Sequence, residues 1–525
     1  MEINYSGKSV LIVDNTLEDL ASLRQILGHL GVQRIQVAAS VNMALSLLRI
    51  EKYDLCFVDY DLGKDDKNGL QLLHEANAES LLTHRHLFIL VVDTERSNLL
   101  FGSLEHSPDT YISKPYQLPK VRARLDKVMR IKHVTEPVDQ LLDEGELAAA
   151  LQRCDQLADL FPGLQLYLCR LKGIILLQLK RYSAALKLFE LLTERRDLPW
   201  AEVGLGSACF HLGRYDDALK ILNRVVDNQH VCVEAFSWLG RAHRAKGSLQ
   251  QAVTLMRKAI MLQPTVPQLQ RELADLAAQA SDWELSVDAY RAAVRYARYS
   301  VFQEPSSYFG LARALAYRMK EAGEAQAAEA EEEVIRLFEA VVLDHQHYEG
   351  IGLRAKLCAG DIFRIGNVPV LAEQRLHDAW AMFQALSPEV QCLWLDAVLD
   401  ATAGTPLADE VNQQKKALSE VMVGLPWAKA NLKALMSFRK GDYEAAFLLF
   451  RHAHQAQPGH IGIALNLIQA GIEVARRETD SAVTLIRCNK VLSQVRFGEL
   501  SERQQGRYRA LAKHCAELIR PAPAA

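Results

Sequence analysis

The 525-residue chain lacks an excess of charge of either sign, long apolar runs and paired cysteines. With 61 Lys+Arg against 64 Asp+Glu its formal net charge is −3, so no global field draws it to nucleic acid or to an anionic membrane. The longest apolar run, Leu87–Val92, is strand-sized and far short of the ~18 residues that cross a bilayer. No basic stretch followed by a long apolar segment opens the chain, so the expected location is the cytoplasm, without membrane insertion. Nine cysteines scattered from Cys56 to Cys515, with no Cys-x-x-Cys pair, suit neither a disulfide framework nor a zinc site and read as buried small hydrophobes. Gly (28) and Pro (16) are few, and the length suffices for two to four domains. Gly-x-x-x-x-Gly-Lys-Ser/Thr, Gly-x-Gly-x-x-Gly, His-Glu-x-x-His and Gly-x-Ser-x-Gly are all missing, and so are the usual enzymatic outputs. His345/His347 and His452/His454 are spaced by two, which on a helix points them to different sides and away from a shared metal.

The texture of the chain changes near residue 130. Before it, apolar runs at Ser9–Val13, Gln36–Ala39, Leu55–Val58 and Leu87–Val92 alternate with helical stretches at Leu17–Leu30 and Val41–Arg49. Strands that are apolar throughout and separated by helices indicate a parallel sheet covered on both faces, whose ligands bind beyond the carboxyl ends of the strands. Asp14 ends the first strand, Asp59 the third, and Lys114 the Tyr-Ile-Ser strand, followed by Pro115. Two carboxylates and an ammonium are thus expected on one edge.

Through Leu11-Ile12-Val13-Asp14-Asn15, Phe57-Val58-Asp59-Tyr60-Asp61-Leu62 and Tyr111-Ile112-Ser113-Lys114-Pro115-Tyr116, the stretch Lys8–Met129 resembles the receiver domain of two-component response regulators. The resemblance implies that Asp59 accepts a phosphoryl group from a histidine kinase or phosphotransfer protein. It implies that Asp14, the Asp59 carboxylate and the backbone carbonyl of Asp61 hold Mg²⁺, that Lys114 pairs with a phosphoryl oxygen, and that Tyr111 is the aromatic switch. Phosphoryl transfer spreads charge over equatorial oxygens, which a hard dication and an ammonium stabilise. Two positions depart from the family pattern. Asn15 stands where most receivers have a second acid and weakens the metal site, and Val92 stands where the family has Ser or Thr, with Thr94 two residues on. Asp65 and Asp66, in a stretch about two residues longer than usual, read as a solvated turn.

The rest of the chain is a repeat array. Ala150/Cys154, Ala185/Phe189, Ala218/Leu222, Ala252/Met256 and Ser286/Tyr290 recur at spacings of 35, 33, 34 and 34 residues. Twelve residues before the last four stand Gly173, Gly206, Gly240 and Ala274, and Pro162 and Pro264 lie twelve after their alanines. This pattern resembles the tetratricopeptide repeat (TPR), in which small residues let paired antiparallel helices pack closely. Ala434, Ala446, Phe450, Ala453 and Pro458 repeat the same spacings. The period makes Phe189, Tyr290, Phe450 and the alanines core residues, while His211, Arg241 and Arg244 are candidates for an exposed groove.

The expected architecture is an α/β flavodoxin-like doubly wound receiver followed by an all-α TPR superhelical solenoid. Its segments are a receiver at 1–132, a linker at 133–137, an array of about five units at 138–297, degenerate repeats at 298–426, a further unit at 427–459, a helical cap at 460–520 and a tail at 521–525. The acid run Glu324, Glu329, Glu331, Glu332 and Glu333 reads as a solvated face. The expected function is that of a phosphorelay response regulator, as in bacterial signalling, whose aspartyl phosphorylation controls protein or peptide binding in the TPR groove. No catalysis is expected beyond the receiver's own phosphoryl chemistry. The first rival is a phosphorylation-independent adaptor with a degenerate receiver. The second is nucleic-acid binding through residues 481–520, where eight Lys/Arg face three Glu with Phe497 and Tyr508 interleaved; the near-neutral whole disfavours it.

Overall fold

The computed structural model describes residues 3–63, 67–93, 104, 108–195, 197–228, 232–321, 324–477 and 482–519. Thr94, Lys64, Asp65 and Asp66 lie outside the described residues, as does the side chain of Glu324. Five strands, β1 (Ser9–Val13), β2 (Arg34–Ala38), β3 (Leu55–Asp59), β4 (Leu87–Asp93) and β5 (Thr110–Lys114), form one parallel sheet. Their order is β2-β1-β3-β4-β5, that of flavodoxin-like sheets. Alternate strand residues feed two apolar layers. Leu11, Val13, Cys56, Val58 and Leu90 pack with α2 (Val41–Ile50) and α3 (Gly69–Ala78). Val10, Ile12, Leu55, Phe57 and Ile89 pack with α1 (Leu17–His29) and with Val121, Leu125 and Val128 of α4 (Leu118–Asp143). Burial on both faces is why these strands carry no polar alternation.

The stretch 133–137, expected as a linker, is instead the middle of α4, which runs on through Pro137. Proline removes one helical hydrogen bond, but both ends of the helix have apolar partners. Its first half sits in the sheet's core, and Val138 and Leu142 join Ala150, Cys154 and Leu157 of α5 (Leu147–Leu160). Tertiary burial overrides the local break, and α4 serves the sheet and the first repeat alike.

The helices continue as α6 (Gln165–Gln178), α7 (Tyr182–Arg195), α8 (Pro199–His211), α9 (Tyr215–Asn228), α10 (Val233–Ala245), α11 (Leu249–Leu262), α12 (Pro267–Gln279) and α13 (Trp283–Ala297). After them come α14 (Pro305–Glu321), α15 (Glu324–Asp344), α16 (Ile351–Ile365), α17 (Pro369–Gln384), α18 (Pro388–Ala401), α19 (Ala408–Ala417) and α20 (Ser419–Gly424). The last are α21 (Pro426–Arg439), α22 (Tyr443–Ala456), α23 (Ile461–Ala475), α24 (Ala482–Gln494) and α25 (Glu502–Ile519). They fall into two compact bodies, one of Met1–Ala242, Leu255–Leu269 and Tyr296–Phe302, the other of His243–Thr254, Gln270–Arg295 and Gln303–Ala525.

The repeat register is visible in the backbone. Lys180, Gly213, Gly247, Ser281 and Gly441 all have left-handed φ of 57° to 82°, and each lies seven residues after its unit's small residue, at the turn between paired helices. Two more residues obey the same offset. Gly145 (φ 78°) follows Val138, which places the start of the first unit inside α4. Asn367 (φ 62°) follows Gly360, and Ala372 and Leu376 stand twelve and sixteen residues after Gly360. A Cβ on Gly360 would lie 2.5 Å from Leu376, as one on Gly206 would lie 2.6 Å from Leu222. The region 298–426, read as degenerate, therefore contains a full unit in α16 and α17. Its spacing of Gly360, Ala372 and Leu376 equals that of Gly206, Ala218 and Leu222.

Candidate functional site

The pocket at the carboxyl edge of the sheet is built by three chain reversals. β1 ends into Asp14, whose side chain turns back to accept the Thr16 amide (2.8 Å). β3 ends on Asp59, which accepts the Asp61 amide (3.2 Å), and β5 ends on Lys114 before a cis peptide to Pro115. The three side chains meet. Lys114 Nζ donates to Asp59 Oδ2 (2.5 Å), Asp14 Oδ2 (3.0 Å) and Asp19 Oδ2 (2.7 Å). Asp14 is 2% and Asp59 7% exposed, so these charges are held in a mostly protein environment. Burial, aided by Asp14, pushes the Asp59 carboxyl above its ordinary range, against the opposing pull of Lys114. Burial by itself would lower the Lys114 ammonium, but the hydrogen bonds it donates to Asp19, Asp59 and Asp14 push it well up, so it stays charged.

Asp19, in the first turn of α1, was not anticipated. Its signal was faint: an acid five residues after Asp14 at a helix N-terminus, where acids are common for dipole reasons alone. Three carboxylates and one ammonium leave the pocket two charges negative. Asn15 is exposed at its mouth, with its amide Nδ2 3.4 Å from where a Cβ on Gly63 would stand. Val92 is 1% exposed in the apolar layer beside Val58 and Leu90, in register with Ser113. Tyr111 is half-buried, with the Arg124 guanidinium 5.2 Å over its ring. Among the described residues, no three His, Cys, Asp or Glu side chains are arranged as a metal cage.

The loop after Asp59 leads into α3, whose N-cap Asn68 and N3 residue Gln71 form a reciprocal capping box. Gly69 is required there, since a Cβ would collide with the Asp59 carbonyl oxygen and lie 2.9 Å from Leu90. Three polar residues on α3 and its approach, Lys67, Gln71 and Glu75, are buried, with Lys67 and Glu75 paired at 2.8 Å. Gln71 Nε2 donates to the carbonyl of Thr265, at the end of the α11 segment, so this polar face is covered by repeats of the same body.

In the repeats, Gly173 and Gly204 clasp the ring of Phe189, each within 2.5 Å of it if given a Cβ. Ala185, Ala218, Ala252, Ala274, Tyr290, Ala446 and Phe450 are at most 1% exposed, and Gly240 is buried. Tyr290 is more than a packing residue: its hydroxyl donates to Asp275 (2.6 Å). Of the groove candidates, His211 stacks on Tyr182 at 4.4 Å and Arg241 lies 4.7 Å over Trp238, while Arg244 is half-buried. Glu333 pairs with Arg291 at 2.5 Å, so the acid run is not purely a solvated face. The basic C-terminal region is also rebuilt: Phe497 and Tyr508 are buried, and Arg509 and Arg507 donate to carbonyl oxygens of Ala278 and Gln279 and to Asn466 and Gln469. The aromatic rings needed to stack on bases are thus core residues.

Residues 10–126 match the response regulator receiver domain family, and residues 170–230 and 203–267 match the tetratricopeptide repeat. The chain is 27% identical over 140 residues to the alginate biosynthesis transcriptional regulatory protein AlgB of Pseudomonas aeruginosa, a match covering 26% of this chain and 29% of that one. It is 26% identical over 119 residues to the chemotaxis protein CheY-3 of Vibrio cholerae, covering 23% of this chain and 89% of that one. A crystal structure of the C-terminal part of a TPR protein from Cytophaga hutchinsonii aligns at 15% identity and a TM-score of 0.35, over 53% of this chain and 98% of that one. No described helix is long and apolar enough to cross a membrane. The chain thus joins a receiver domain to tetratricopeptide repeats.

Proposed function

We propose that this protein is a cytoplasmic phosphorelay response regulator in which phosphorylation of Asp59 changes what the repeats bind. The observation that carries the reading is the convergence of Lys114 on Asp14 and Asp59 in a buried pocket, with the next helix, α3, joined to the repeats through Gln71 and the Thr265 carbonyl. The Asp59 carboxylate attacks phosphorus of a phosphohistidine donor; the P–N bond breaks as the P–O bond forms, and the imidazole carries away the electron pair. Lys114 then pairs with a phosphoryl oxygen, which takes over the partner that Asp59 supplies in the present arrangement. The two buried carboxylates, the Asp61 carbonyl and the Asn15 amide oxygen suit Mg²⁺, which keeps several waters and takes one or two carboxylates. That ion would supply charge neutralisation for the incoming phosphoryl oxygens. Asn15 lowers its affinity, and Val92 leaves the phosphoryl group without a hydroxyl from β4. No other catalysis is assigned.

Asn15 and Val92 equally favour a second reading, an adaptor whose receiver is a docking module. One experiment separates them. Wild type, wild type with beryllofluoride and Mg²⁺, and Asp59→Ala are immobilised and compared for proteins captured from the source-cell lysate, and each is incubated with a small acyl phosphate donor. Phosphorylation at Asp59 with a capture profile that changes only when Asp59 is loaded supports the switch. Identical profiles in all lanes support the adaptor.

A further inference from the structure

Asp275, Arg313 and Asp361 are equivalent positions of three successive helix pairs, each one residue after the small residue of its unit. In α12 and α16 those small residues are Ala274 and Gly360. In α14 it is Ala312, two residues after Gly310, where an added Cβ would strike Tyr290 as one on Gly204, two residues before Gly206, would strike Phe189. This charged row is covered. Arg313 and Asp361 are 3% and 2% exposed and paired at 2.5 Å, and the row meets residues 496–501, the stretch of the same compact body between α24 and α25. Both backbone polar groups of Gly498 are taken: its N–H donates to Asp275 Oδ1 (3.1 Å) and its carbonyl accepts from Arg313 Nε (3.3 Å). Glu499 accepts from Arg354 of α16, and Ser501 donates to Asp400 of α18. One short segment is thus read by the alternate helices α12, α14, α16 and α18, as the concave face of a repeat array holds a peptide. Gly498 lies so close that a Cβ would collide with the Tyr290 hydroxyl and stand 2.6 Å from Gly310 Cα. Phe497 and Leu500, fully buried, belong instead to the apolar cluster of Phe447, Phe450 and Tyr508. The segment does not fill the face: a cavity of about 260 Å³ remains between its Arg496 and Glu499 and the opposing Ser306, Tyr348, Arg354 and Trp394. A purely structural contact gains little from buried charge, since apolar residues of similar volume hold as well, whereas taking both the donor and the acceptor of one residue's backbone is what recognition of a peptide requires.

We propose that the face of α12, α14, α16 and α18 is a peptide site, closed in this conformation by residues 496–501 of the chain itself. The partner it fits is a protein segment with a glycine, an acid directly after it and a hydroxyl two residues after the acid. The glycine passes between Tyr290 and Gly310, the acid meets Arg354 and the hydroxyl meets Asp400. Such a partner binds only by displacing the chain's own segment. The inference rests on the reading given above only in that the repeats bind protein, and it uses no step at Asp59.

The probe is a synthetic peptide with this chain's sequence from Val495 to Arg503, labelled and titrated into the full-length protein by fluorescence anisotropy; a control peptide carries Gly498→Leu. Gly498→Leu in the full chain drives the segment off the face and leaves Phe497 and Leu500 to their cluster. Glu499→Ala, which gives up only the Arg354 contact, is the milder second variant should the first fail to fold by near-ultraviolet circular dichroism. The expected result is at least tenfold tighter peptide binding to folded Gly498→Leu than to wild type, or at least threefold for Glu499→Ala, with the control peptide inert. Equal binding to wild type and variant, binding to neither, or a control peptide that binds as well overturns the site. A third arm adds Arg354→Ala to the binding variant: at least tenfold weaker binding supports the site, and unchanged binding overturns it by putting the peptide elsewhere. Asp59 stays unloaded in every arm, so a result against the site leaves the phosphorylation switch standing, and loss of the switch leaves the site.

Discussion

Lys114→Met removes the one ammonium that three carboxylates share. Asp19 is 31% exposed at its side chain and can turn to water, but the side chains of Asp14 and Asp59 are 3% and 9% exposed and lose their partner in place. Breaking a buried pair on one side costs about 3–5 kcal/mol, and at 1.4 kcal/mol per factor of ten the amides of β1 and β3 should exchange about 10²- to 4 × 10³-fold faster. Hydrogen exchange is the right assay because all six tryptophans lie at or beyond residue 200 and report on the repeats instead. The pH dependence has a definite sign. Burial raises Asp59 in the folded state above its unfolded value of about 3.9, so the folded chain binds that proton more tightly and stability falls as pH rises through the window between the two values. Without Lys114 the window extends upward, and moving from pH 7 to pH 5 should restore protection to the variant. The double variant Lys114→Met/Asp59→Asn, with one buried charge fewer, should recover part of the loss. Protection within about fivefold of wild type, about 1 kcal/mol, would refute the reasoning by showing that water solvates the carboxylates without help.

Gly69→Ala should destabilise the N-terminal domain by about 1–3 kcal/mol and slow acyl phosphate labelling of Asp59, because the added Cβ meets the immovable Asp59 carbonyl; unchanged labelling would contradict this. Phe189→Ala should cost about 3–5 kcal/mol, read as a lower urea midpoint from the fluorescence of Trp200, whose ring stands edge-on 6.5 Å away. Asp361→Asn strands Arg313, 3% exposed and paired with Asp361 at 2.5 Å, and should cost about 3–5 kcal/mol. Burial by itself would raise Asp361, but Arg313 and Arg364 more than offset it and hold the carboxyl below its ordinary range. Wild-type stability from this group is therefore present above about pH 4 and lost on further acidification, and the variant should lack that loss.

The sheet and pocket were legible because strand burial on both faces writes uninterrupted apolar runs, and because Asp14, Asp59 and Lys114 sit at strand ends whose edge the topology fixes. The repeats were legible wherever small residues recur at 33 to 35, and Gly360, Ala372 and Leu376 are a fainter signal because Gln384 stands where Pro162, Pro264 and Pro458 close other units. What sequence did not disclose depends on tertiary partners. Pro137 reads as a break in sequence although both halves of α4 have cores, and Asp19 is an acid in a first helical turn with nothing in the sequence to tie it to Lys114. Phe497 and Tyr508 misled in the opposite direction: aromatic rings among basic residues suggest stacking on bases until the fold buries them.

The central claim, that the chemistry of Asp59 reaches the repeats, is tested most directly by hydrogen exchange of the full chain with and without beryllofluoride and Mg²⁺, alongside Asp59→Ala, with fluorine resonance spectroscopy confirming that the pocket is loaded. The account predicts altered exchange in the segment around Thr265 of the wild type alone. A loaded pocket with exchange unchanged beyond α3 would contradict it.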